Sequence, residues 1–136
     1  MSEDAAKPIA TATADIAETR YACTIRAGEH SLVADEPAPD GGDAGPSPFG
    51  LVLSGLGACS AITLRMYAER KGWPLERVHV RLAYRWIDHA PHIDREVTVT
   101  GPLDAEQRAR LAEIVEKTPV TRALKSGMKI ETRFTA

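Results

Sequence analysis

Gly45-Pro46-Ser47-Pro48-Phe49-Gly50-Leu51-Val52-Leu53-Ser54-Gly55-Leu56-Gly57-Ala58-Cys59-Ser60-Ala61-Ile62-Thr63-Leu64-Arg65-Met66-Tyr67-Ala68 is the stretch on which the fold turns. Ser47 before Pro48 has the form of a helix start. A side-chain oxygen can accept an orphan amide, and the proline's fixed φ suits the first helical position. The helix expected from Phe49 to Arg70 carries no charge before Arg65. A helix apolar on every side belongs in a core. Each glycine within it costs about 1 kcal/mol against alanine, so tertiary packing must hold it. Gly72 and Pro74 stop it.

Upstream, polar and apolar residues alternate from Arg20 to Val33, with Tyr21, Cys23 and Ile25 on one face and a turn at Gly28-Glu29. This predicts a β-hairpin. Residues Met1 to Ala14 read as a disordered tail or a fraying first strand, leaving 15–136 as a single domain. Asp35 to Pro48 is a loop by its proline and glycine content. Downstream, Val78 to Tyr84 and Glu96 to Thr100 alternate as antiparallel strands joined around Asp88 to Asp94. Asp104 caps a helix to about Glu116, Thr118-Pro119 starts a shorter one ended by Gly127, and Lys129 to Phe134 is expected as a closing strand. The order β-β-α-β-β-α-α-β defines an α+β protein with antiparallel sheets and a long central buried helix.

Composition narrows the function. A net charge of -2 argues against nucleic acid, whose phosphates need a basic surface, and 5% aromatic residues argue against base stacking. The uncharged run Ala44 to Leu64 contains Pro46, Pro48, four glycines and three serines, too interrupted for a bilayer span. No charged leader precedes an apolar run, so the expected compartment is the cytoplasm, where two cysteines are free thiols by default. No cofactor motif is present.

Cys59 is the first chemical candidate, because it follows a glycine-rich helix start where a thiol can become reactive. The plainer reading of a lone cysteine on an apolar helix is a small core hydrophobe. Cys23, on the face of Tyr21 and Ile25, reads as a buried strand residue; it could pair with Cys59 only if their Cα atoms come within about 7 Å. Arg20 reads first as a solvated strand-end charge. Asp35-Glu36 is a weak cation signal, and His79, His89 and His92 lack zinc spacing, so no metal is expected. Trp73 and Trp86 read as packing or interface anchors, and Arg65, Arg70 and Lys71 as a solvated helix end.

The helix motif Gly45 to Ala68 resembles that of the OsmC/Ohr hydroperoxide-resistance family, as do Ala27-Gly28-Glu29-His30, Ala34-Asp35-Glu36-Pro37, Lys71-Gly72-Trp73-Pro74-Leu75 and Gly101-Pro102-Leu103. The resemblance implies an intertwined homodimer with a site at the subunit interface. There a thiolate attacks a small organic hydroperoxide, becomes a sulfenic acid, and is resolved by a second cysteine. It assigns the attacking position to Cys59 and an activating role to Arg20. Two departures stand out. Thr118-Pro119-Val120-Thr121 replaces the family's Cys-Pro-Val-His, and Phe49 and Gly50 stand where a glutamate is common. Cys59 then works with an external thiol reductant, pairs with Cys23, or belongs to a non-catalytic protein that binds a small apolar ligand or partner at the interface.

Overall fold

The computed structural model describes residues 7–135. Its order is β1 (Ala12–Asp15), β2 (Cys23–Ala27), β3 (His30–Ala34), α1 (Pro48–Lys71), β4 (Arg77–Ile87), β5 (Ala90–Thr100), α2 (Ala105–Val115) and α3 (Pro119–Ser126). The chain divides into two compact units, Met1–Val52 and Leu53–Ala136.

The first unit is built on a three-stranded antiparallel sheet in the order β1-β2-β3. The expected hairpin is present as β2 and β3, with Ile25 opposite Leu32 and Cys23 opposite Ala34. Of the tail expected over Met1 to Ala14, residues 1–6 lie outside the described residues, whereas Ala12 opens β1 and pairs with Ala27. The loop after β3 folds back on itself, with the Asp35 amide donating to the Pro46 carbonyl. Gly45 is required there. A Cβ at that position would collide with the carbonyl of Val33.

α1 begins as its sequence predicts, the Ser47 hydroxyl accepting from the Gly50 amide at 3.1 Å. It ends in a Schellman pair, Trp73 N–H to the Ala68 carbonyl and Gly72 N–H to that of Glu69, with Gly72 at φ 69°. Within the single chain the burial of this helix is one-sided. Only Leu56, Ser60, Leu64 and Ala68 are buried, one stripe at four-residue spacing, while Phe49, Val52, Ile62 and Met66 are exposed. By length and composition alone α1 could cross a membrane.

In the second unit, β4 and β5 form an eleven-rung antiparallel ladder from Arg77↔Thr100 to Ile87↔Ala90. The strands run longer than the alternation suggests because the connection is only Asp88-His89, both at positive φ (51° and 64°), a two-residue hairpin turn that matches strand twist. Val78, Val97 and Val99 pack on a core of Leu64, Ala68, Leu75, Leu103, Leu111 and Val115. Gly57 brings α1 close to β4: a Cβ there would lie 2.9 Å from Leu82 Cδ1. Asp104 and Gln107 close a reciprocal capping box on α2. Lys129 to Phe134, expected as a closing strand, pairs with no strand among the described residues.

Candidate functional site

Cys59 sits on α1 one residue before the fully buried Ser60. It is half-buried rather than enclosed, with its Sγ 4.0 Å from Thr63 Oγ1, one helical turn on. Its thiol is free, as is that of Cys23. Cys23 is likewise half-buried, its sulfur 4.0 Å from the Thr24 carbonyl oxygen. Arg20 lies ahead of β2 rather than on it, exposed, with its guanidinium 5.5 Å from the centre of the Tyr21 ring. Arg20 and Cys23 therefore belong to the first unit and Cys59 to the second.

Beside Cys59, the second unit holds a polar cluster that sequence reasoning missed. Arg95 of β5 points to the inner face of its strand, its side chain only 11% exposed. Nη1 donates to Ser60 Oγ at 3.0 Å and to Thr121 Oγ1 at 2.8 Å, while Nη2 meets Glu116 Oε1 at 2.9 Å. Ser60 is free to accept because its own proton goes back to the Leu56 carbonyl at 2.7 Å. Thr118 Oγ1 and Thr121 Oγ1 are 2.6 Å apart, both residues buried. Lys125 completes the chain of charges at 3.0 Å from Glu116. The hydrogen bond from Lys125, and with it that from Arg95, holds the Glu116 carboxyl below the usual carboxylate range. No buried side-chain polar atom among the described residues lacks a partner. The detectable signal was the β5 alternation itself. A cation two residues before Val97 and four before Val99 takes an inward position, where charge must be paired.

Asp35 has a structural task in place of the weak cation signal. Its side chain accepts from the amides of Tyr21 (3.1 Å), Glu36 (2.7 Å) and Ala44 (3.1 Å), in a residue only 4% exposed. The Ala44 amide, then those of Glu36 and Tyr21, draw its carboxyl below the ordinary value against the opposing effect of desolvation. Among the described residues no group of three or more His, Cys, Asp or Glu could hold a metal ion. Trp73 packs edge-on against Tyr67, with ring centroids 5.5 Å apart. Arg65, expected to be solvated, instead donates to the carbonyls of Leu75 (2.6 Å) and Glu76 (2.8 Å).

Two antiparallel sheets, a long helix and a half-buried free thiol on that helix define an α+β protein of thiol-bearing type. The profile of the OsmC-like protein family matches residues 41–133, and the chain belongs to that family. Its structure is similar to an OsmC-like protein from Mycoplasma pneumoniae (TM-score 0.75, 18% identity, covering 87% of this chain and 88% of that one). It is also similar to the organic hydroperoxide resistance protein OhrB of Bacillus subtilis (TM-score 0.60, 21% identity, 85% and 90% covered). A third likeness is to an OsmC-like protein of unknown function from Vibrio cholerae (TM-score 0.67, 11% identity, 86% and 94% covered). At these identities the likenesses carry the fold. No curated protein matches the sequence significantly.

Proposed function

We propose that this protein is a one-cysteine hydroperoxide reductase, with Cys59 as the peroxidatic thiol and an external thiol as reductant. Family membership points to a peroxide-resistance or redox role. The observation that carries the finer reading is the half-buried free thiol of Cys59, at the position in the helix motif that the family resemblance gives to the attacking cysteine. The Cys59 thiolate attacks one oxygen of ROOH and the O–O bond breaks. The products are ROH, once the alkoxide takes a proton, and a sulfenic acid on Cys59. One external thiol then forms a mixed disulfide and releases water, and a second returns Cys59 to the thiol. Arg20 is the candidate cation for the attacking thiolate, and Cys23 the candidate internal resolving thiol.

The working unit is an intertwined homodimer with its pocket at the interface. α1 leaves Ile62 at 57% and Met66 at 55% exposure, and the unpaired terminal segment leaves Ile130 at 85% and Phe134 at 93%. Apolar surface of this extent calls for a partner. The proposal keeps the protein in the cytoplasm, off membranes and nucleic acid. The rival reading is a non-catalytic binder of a small apolar ligand at the same interface. Thr118 and the absence of a glutamate at Phe49 or Gly50 favour it.

Intact-protein mass spectrometry after one equivalent of cumene hydroperoxide, with a sulfenic-acid trap present, separates the two. Rapid trapping that disappears in Cys59→Ser supports the reductase, and a Cys23–Cys59 disulfide would name the resolving partner. An unmodified thiol after prolonged exposure leaves the binder.

A further inference from the structure

Cys59 and Thr63 stand one turn apart on α1, both half-buried, with Sγ and Oγ1 4.0 Å apart. Residues four apart on a helix meet on one face, because side chains lean toward its N-terminal end. Among the described residues of the second unit, no other polar atom lies within hydrogen-bond distance of Sγ. One turn before Cys59, Gly55 has no side chain to cover the sulfur, and a Cβ there would meet no atom within 4 Å. The thiol is thus left open toward Gly55 and met by a hydroxyl from the following turn.

The Thr63 hydroxyl departs from the usual habit of a helical hydroxyl, which returns its proton to a carbonyl of the preceding turn. Ser60, on the same helix, donates to the Leu56 carbonyl at 2.7 Å, and Ser126 on α3 donates to that of Arg122 at 2.9 Å. The corresponding carbonyl for Thr63 is that of Cys59. No such bond is present among the described residues, and Oγ1 faces the sulfur instead. A neutral thiol is only a weak acceptor, which suits so long a separation. A thiolate draws an O–H closer, because charge-assisted bonds are shorter and stronger than neutral ones. Bonds of this kind often tighten only when the reacting state forms.

We infer that Thr63 is a positioning residue for Cys59: its hydroxyl donates to the ionised sulfur and, after the attack, to the oxygen of the sulfenic acid. The inference rests on the proposal that Cys59 attacks peroxide. Thr63 makes and breaks no covalent bond. Its donated hydrogen bond favours the thiolate, the form that attacks, over the neutral thiol. It also holds the sulfur in one orientation. Both partners belong to one helix, so the pair needs no second element to align it.

The test measures the second-order rate of modification at Cys59 in the full-length protein at neutral pH, with the site read by peptide mapping. Two reagents are compared, cumene hydroperoxide with a sulfenic-acid trap and iodoacetamide. Thr63→Val keeps the shape and removes the hydroxyl, and both rates should fall about tenfold, the equivalent of one charge-assisted bond. Thr63→Ser restores the hydroxyl and should keep the parent's rates. A Thr63→Val protein as fast as the parent would overturn the inference. So would a Thr63→Ser protein as slow as Thr63→Val, since the methyl group and its packing would then carry the effect. Iodoacetamide separates this inference from the reading beneath it. A parent that alkylates but resists peroxide ends the reductase reading, while slow alkylation of Thr63→Val still upholds the hydroxyl–thiolate bond. A parent trapped by peroxide with Thr63→Val unchanged overturns the role of Thr63 alone. A parent thiol inert to both reagents overturns both.

Discussion

Arg95 Nη1 stands 2.8 Å from Thr121 Oγ1 and 3.0 Å from Ser60 Oγ, so one guanidinium joins the start of α3 to the middle of α1. Because the side chain is nearly enclosed, removing it strands its partners rather than merely loosening a surface pair. Arg95→Met is expected to cost about 3 kcal/mol of unfolding free energy in urea. Ser60→Ala combined with it should cost less than the sum of the two single changes, because both act on one network. Strict additivity would show that the bond is incidental.

Thr118 and Thr121 share a 2.6 Å contact in a buried setting. Thr118→Val keeps the shape and deletes the hydroxyl, so Thr121 loses its hydroxyl partner while keeping its bond from Arg95. A loss of about 1–2 kcal/mol is expected by thermal or urea unfolding, with no change in a Cys59 trapping assay. An unchanged midpoint would mean that the pair contributes no stability.

At Gly45 an added Cβ would run into the Val33 carbonyl, which is backbone and cannot step aside. Gly45→Ala should therefore lose several kcal/mol, about as much as the severe class of point changes. Gly57→Ala is the informative contrast. There the obstacle is only the far end of Leu82, and the helix gains about 1 kcal/mol of propensity. Circular dichroism melts of the two variants should move far apart, and similar melts would refute the reading of Gly45.

Asp35 supplies an acid dependence with a definite sign. Its carboxyl is held below the ordinary value by the Ala44, Glu36 and Tyr21 amides, so the unfolded chain takes up the proton first. The stabilisation is complete above the unfolded carboxylate range, near about pH 4, and is lost as pH falls through the lower folded value. The protection of the Ala44 amide, its exchange relative to an unstructured chain at the same pH, should fall across that acid window. Asp35→Asn should show low protection at every pH; a wild-type-like profile from that variant would remove Asp35 from the explanation.

Much of this architecture was legible because each boundary had its own chemistry. Ser47-Pro48 opens α1, Gly72 closes it, and Asp104 with Gln107 opens α2. Three features were not. The β4–β5 strands outran their alternation because Asp88 and His89 adopt positive φ, which neither residue type announces as firmly as Asn-Gly would. The chain itself covers only one side of α1, and a uniformly apolar helix gives no sign of which side that is. Lys129 to Phe134 has the pattern of a strand, but pairing needs a neighbour that the described residues do not offer. In the candidate site, Cys59 was visible as a motif, whereas Arg95 was hidden because the strand was read as starting one residue after it.

The bonds of Arg95 span 35 residues to Ser60, 26 to Thr121 and 21 to Glu116. Closing such loops has an entropic cost that nothing local offsets, so the knot cannot form before β5, α1 and α3 have already met. It should be missing from the folding transition state, with φ-values near zero. Arg95→Met would then refold at nearly the parent's rate but unfold faster, about a hundredfold for a loss of about 3 kcal/mol. This guanidinium would thus govern how long the protein lasts once folded, with little bearing on how quickly it arrives there.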